Sequence, residues 1–147
     1  MSERSDIREG LRARVATALP AFNVELGRYD QIPPAKLPLA CLYAMEETRE
    51  IIAKKHPRLR HHNLTITIEL AIQATTAAEI ESDLDTHSAA VEAALSEDPK
   101  LTEVAGVTVK DCHVTQITFE ANGQGKAHYG MAILEVAVQY ETTEASP

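Results

Sequence analysis

Residues 63–73 read Asn63-Leu64-Thr65-Ile66-Thr67-Ile68-Glu69-Leu70-Ala71-Ile72-Gln73, and the alternation in this stretch decides the fold. Leu64, Ile66, Ile68, Leu70 and Ile72 point one way. Asn63, Thr65, Thr67, Glu69 and Gln73 point the other, with only the small Ala71 among them. Side chains alternate across a strand, so this is one strand with a core face and a polar face.

Upstream, Leu37 to Met45 (LPLACLYAM) is apolar on both faces, which predicts a central strand covered on both sides or buried in an interface. Between the two strands, Glu46 to His62 reads EETREIIAKKHPRLRHH. It is too polar for core and too long for an ordinary turn, so we read about 46–61 as a flexible charged loop kept for contact. Folded as a hairpin it would reach roughly 20–25 Å at about 3.3 Å per residue.

Outward from this centre the remaining elements follow. Ile7, Leu11, Val15 and Leu19 recur at spacings of four and predict a helix over about 6–19, capped by Ser5 or Asp6 and stopped by Pro20. Arg4, Arg8 and Arg12 form a second, solvated stripe. Phe22, Val24 and Leu26 alternate as a short strand, and Ile32-Pro33-Pro34 is a turn.

A second helix is predicted over about 77–95. Thr76 and Glu79 have capping-box spacing, and Ile80, Leu84, Val91 and Leu95 form a stripe completed by Ser88. The last third reads as a long hairpin turning at Asn122-Gly123-Gln124-Gly125. Its first strand, 107–120, changes apolar parity twice: Val107 and Val109, then Cys112 and Val114, then Ile117 and Phe119. Two parity changes predict two bulges. The return strand, about 128–140, keeps Ala132, Leu134, Val136, Val138 and Tyr140 on one face, and about 141–147 reads as a polar tail. The expected fold is a single α+β domain over 1–147, a mostly antiparallel sheet with two α-helices packed on one face.

Composition narrows the function. A length of 147 residues suits one domain with a real core, and 44% hydrophobic with 24% charged residues is ordinary for a soluble protein. Aromatic residues make up 4%, with no Trp, which weakens any reading built on base stacking. A net charge of −8 argues against nucleic acid as the main partner. No window reaches the roughly 18 apolar residues of a membrane span, so no membrane partner is expected. The N-terminus has no apolar run and carries Glu3, Asp6 and Glu9, against a secretory or transit signal. Two cysteines, Cys41 and Cys112, without a CxxC, are expected as buried thiols in a reducing compartment.

The charges are segregated. Glu79 to Asp98 holds seven acids and no Lys or Arg, whereas Ile52 to His62 holds four basic residues, three His and no acid. Two solvated surfaces account for this, and so does head-to-tail association of copies, which generates rings or filaments. On the second reading, Arg49, Lys54, Lys55, Arg58 and Arg60 meet a neighbour, with Glu81, Asp85 and Glu92 as counterparts.

Catalytic and metal motifs are sparse. His56, His61 and His62 have no carboxylate or Cys close in sequence, so no metal site is expected. Gly123-Gln124-Gly125-Lys126 lacks the spacing and following helix of a phosphate loop. Cys112 and His113 are strand neighbours and face apart, so an enzyme would need Cys112, His113 or His128 brought together from separate strands. No catalytic residue, metal or cofactor is expected.

The order and spacing of several stretches resemble the tail terminator proteins of long-tailed bacteriophages, the lambda-type minor tail protein U family. They are the N-terminal helix ending in Leu19-Pro20, the strand Pro34 to Glu47 (LP-LACLY-x-MEE), the charged loop, the LTITIEL strand, the helix ending VEAALSEDP, and the closing LEVAVQY. The resemblance spans nearly the whole chain. It implies a non-enzymatic virion protein at the head-proximal end of the tail, assembled in host cytoplasm as a homo-hexameric ring. Its partners would be other copies, the major tail tube protein and a head-completion or neck protein. Another neck or head-completion protein of the phage would share the same small α+β build.

Overall fold

The computed structural model describes residues 3–29, 31–53, 58–101, 107–124 and 127–144. Helix α1 (Glu3–Ala18) is followed by β1 (Asn23–Leu26), a 3-10 turn at Pro34–Lys36, β2 (Leu39–Ala53), β3 (Arg58–Ala74), α2 (Ala77–Glu97), β4 (Thr108–Gln124) and β5 (Ala127–Glu144). The five strands form one sheet in the order β1-β2-β3-β5-β4. All pairings are antiparallel except β1 with β2. The fold is α+β, as the alternation predicts.

Both helices lie on the same face of the sheet. Ile7, Leu11 and Val15 of α1 are buried where that helix packs on β1, β2 and α2, and Ile80, Leu84, Ser88, Val91 and Leu95 of α2 are buried where it packs on β3, β4 and β5. Burial of these aliphatic side chains holds the layers together, at about 25 cal/mol per Å² of apolar surface. The side chain of Thr76 caps α2 by accepting from Glu79 N at 3.1 Å. Ser88 is satisfied within the apolar stripe by donating to Leu84 O at 2.7 Å. Helix α1 begins earlier than the sequence suggests, at Glu3, so Ser5 and Asp6 lie inside it and do not cap it.

The parity changes in β4 are two bulges. Its register with β5 shifts between Val109 and Asp111, and again between Val114 and Gln116. Each inserts one residue, so Val109, Cys112, Val114, Ile117 and Phe119 all keep the helix side of the sheet. The parallel pairing of β1 with β2 has no such signature; residues 27–38 carry the chain across between them. Strand β2 is buried on both faces only from Leu39 to Leu42, and Met45 is 60% exposed. The centre of the sheet is β3, which pairs with β5 over seventeen rungs, from Arg58↔Glu144 to Ala74↔His128.

Two expected irregular segments are strand. Most of the loop expected at about 46–61 continues β2 to Ala53 and β3 from Arg58, paired from Glu46↔Thr65 to Ala53↔Leu59. The tail expected at about 141–147 is β5 as far as Glu144. Backbone pairing to a neighbouring strand satisfies these polar segments without an apolar face.

Candidate functional site

Strands of 17 residues are roughly 55 Å long, while the 21-residue α2 is roughly 32 Å, so α2 cannot cover them end to end. Past Glu47 the helix side of β2 is uncovered: Arg49 is exposed and Ile51 is 44% exposed. The sheet therefore continues as an arm of β2 and β3, backed by the end of β5. Six residues, 48–53, give it a reach of roughly 20 Å.

The expected contact residues divide on this frame. Arg60 is on the arm, half-buried. Arg58 opens β3; Lys54 and Lys55 lie outside the described residues. Arg49 is on the arm but is engaged within the chain, with Nε 2.8 Å from Glu47 Oε2. Glu81, Asp85 and Glu92 are all exposed on α2. At 100° per residue they fall within about 40° of one another, on an exposed flank that borders the Ile80–Leu95 stripe.

At the base of the arm is a cluster that sequence reading missed. A register shift between Ala44 and Glu46 swings Glu47 onto the helix side, opposite Leu64. There the Glu47 side chain is 6% exposed, with Tyr140 donating to Oε1, Arg49 to Oε2 and Arg4 of α1 4.0 Å away. Burial pushes the Glu47 carboxyl up, but the bonds from Tyr140 and Arg49 outweigh it and hold the group below its ordinary value. Burial and the same hydrogen bond push the Tyr140 phenol well above its usual range.

His62 stacks on Tyr140, with ring centroids 4.4 Å apart and planes 9° from parallel, and its Nε2 is 2.7 Å from Thr142 Oγ1. One signal for this cluster was legible: His62 shares the parity of Leu64 and Ile66, so a polar ring at a core position required a buried partner. Arg4 is exposed, as its stripe predicts, with its Nε 4.0 Å from Glu47 Oε1.

Catalytic convergence is contradicted. Cys112 is 1% exposed in the core, and burial pushes its thiol up to about 12. His113 is exposed on the opposite face, paired with Asp111 at 2.7 Å. His128 pairs with Gly123 at the far end of the hairpin, whereas Cys112 pairs with Val138. The three do not meet. Among the described residues no group of three or more His, Cys, Asp or Glu is placed to hold a metal ion, and no helix is long and apolar enough to cross a membrane.

At the opposite end of the sheet an open groove of about 640 Å³ runs between Phe22, Pro38, Ile72 and His87. Phe22 and His87 meet edge to face at 4.8 Å.

No protein-family model matches the chain, and no curated protein matches it. Among solved structures, the chain is similar to a component of the virion of a native gene transfer agent particle, with 15% identity and a TM-score of 0.48 over 96% of each chain. A second solved chain shares 17% identity at a TM-score of 0.49, over 95% of this chain and 96% of that one.

Proposed function

We propose that this chain is a structural protein of a phage-like virion that acts by binding, without catalysis. In this reading it closes into a ring of copies, six by the family resemblance, on the last ring of the tail tube. It ends tube growth and presents the surface to which the head or neck attaches.

The observation that carries the reading is the arm. A three-stranded extension roughly 20 Å long, uncovered by either helix, makes little contribution to the core of one chain. It is suited to lie against a neighbour. The basic residues Arg58 and Arg60 lie on it, with Lys54 and Lys55 between its strands in sequence, and the acidic flank Glu81, Asp85 and Glu92 lies on a helix. Unlike patches on one chain meet head to tail, and head-to-tail contact forms a ring where its rotation closes. The partners in this reading are other copies, the tail tube protein and a head-completion or neck protein, at the head-proximal end of the tail.

A phage lacking this chain tests the reading. Overlong tail tubes are the expected result. Tails of normal length beside unjoined heads would instead assign the chain to neck or head completion and overturn the terminator role.

A further inference from the structure

The base of the arm contains a buried imidazole with an unmet valence. His62 is 5% exposed, and its Nδ1 has no hydrogen-bond partner among the described residues. Glu47 Oε2 lies 3.6 Å from that nitrogen, too far for a hydrogen bond. A neutral ring leaves one buried nitrogen unpaired. A protonated ring would offer Nδ1–H to Glu47 and Nε2–H to Thr142, but it would add a cation to a cluster already rich in them. The charged and titratable groups around it are Glu47 and Arg49 of β2, Arg60 of β3, Tyr140 of β5 and, through Glu47, Arg4 of α1. One carboxylate already faces two guanidinium groups, those of Arg49 and Arg4, before the imidazole gains its proton.

We propose that Glu47, His62 and Tyr140 form a pH-sensitive latch, in which the uncharged His62 stacked on Tyr140 clamps the base of the arm and protonation of His62 loosens the arm while the core stays folded. The geometry places the latch between two regions of different cohesion. Beyond it, the helix face of β2 is exposed; before it, Leu64, Ile66 and Ile68 are fully or almost fully buried. The latch is also where three separate elements converge, because Arg49 pairs with His62 across the β2–β3 ladder and His62 pairs with Tyr140 across β3–β5.

Burial holds His62 below its ordinary value of 6.5, more than Glu47 raises it. The unfolded chain therefore takes up this proton first, and the folded arrangement is penalised as pH falls from that value. Glu47, itself held below its ordinary value, acts in the same direction at lower pH. The latch belongs to the isolated chain and does not rest on the tail-tube reading.

Amide hydrogen exchange on the full chain at about pH 7.5 and about pH 5.5, corrected for intrinsic rates, tests it. The amides of Arg49–Ile51 and Arg60–His61 are expected to lose about tenfold or more protection at the lower pH, while Ile66–Leu70 keep theirs. H62Q is expected to show the same arm protection at both. If that variant fails to fold, NMR titration of the His62 ring in the wild-type chain decides: a midpoint below 6.5, shared by the arm amides, is expected. Unchanged arm protection in the wild type, an undiminished pH response in H62Q, or a ring midpoint at or above 6.5 would each overturn the latch.

Discussion

Gly130 of β5 passes so closely beneath Ile80 of α2 that a Cβ built on it would overlap Ile80 Cγ2 and lie 3.0 Å from Leu84 Cδ1. The absence of a side chain at this rung lets α2 settle onto the sheet. Gly130→Ala should therefore cost about 1–3 kcal/mol by overpacking, read from urea midpoints. In an Ile80→Ala background the same change should cost less, by about 0.5 kcal/mol or more. Equal costs in the two backgrounds would mean that the close approach is not what constrains this position.

Glu47 and Tyr140 are 93 residues apart in sequence and share a partly buried hydrogen bond. Tyr140→Phe removes only the hydroxyl and leaves a buried carboxylate short of a donor, so a loss of about 1–3 kcal/mol is expected at neutral pH. The pH dependence has a definite sign. The folded-state value of Glu47 lies below its ordinary 4.5, so its contribution is present above that value and is lost as pH falls through the lowered one. Glu47→Gln should flatten the acid limb of stability below about 4.5. A limb as steep as that of the wild type would remove Glu47 as its source.

The β4 bulges predict an asymmetry in deletions. Removing Thr115, the extra residue between Val114 and Gln116, leaves Val114 and Ile117 on the same face. That variant should fold, with a change of about 1 kcal/mol or less. Removing Thr118 instead turns Phe119 and everything between it and the hairpin tip to the other face. Circular dichroism melts of the two should differ strongly. Similar melts would show that face parity in β4 does not govern stability.

Much of this architecture was legible because burial leaves a period in the sequence. Ile7–Leu19 and Ile80–Leu95 announce helices, Leu64–Ile72 and Ala132–Tyr140 announce strands, and Val109 to Phe119 records two bulges as parity changes. The arm was not legible for the same reason. Beyond Glu47 no helix covers β2, so Thr48, Arg49 and Glu50 are all exposed, and a strand with no buried face has no apolar alternation. The Glu47 cluster was hidden by the irregularity beside Met45, which no residue type signals, and by partners that come from α1 and β5. Of the expected contact residues, Arg49 proved to be held by Glu47, while Glu81, Asp85 and Glu92 form one exposed helix flank.

Arg49 and Arg60 should accordingly respond differently to substitution. Arg49→Ala removes a donor from Glu47 and should lower thermal stability while leaving self-association nearly intact. Replacing Lys54, Lys55, Arg58 and Arg60 together with Ala should do the reverse, weakening association and flattening its dependence on salt. Sedimentation at two ionic strengths separates the two effects, and association that is indifferent to the fourfold change would dispose of charge matching.

The most direct measurement is the length of tail tubes polymerised in the presence of the purified chain, imaged by electron microscopy alongside the mass of the chain in solution. Tubes that shorten as the chain is added, each bearing a ring of it at one end, are predicted. Tubes of unaltered length, with the chain left behind as free monomer, would contradict the account.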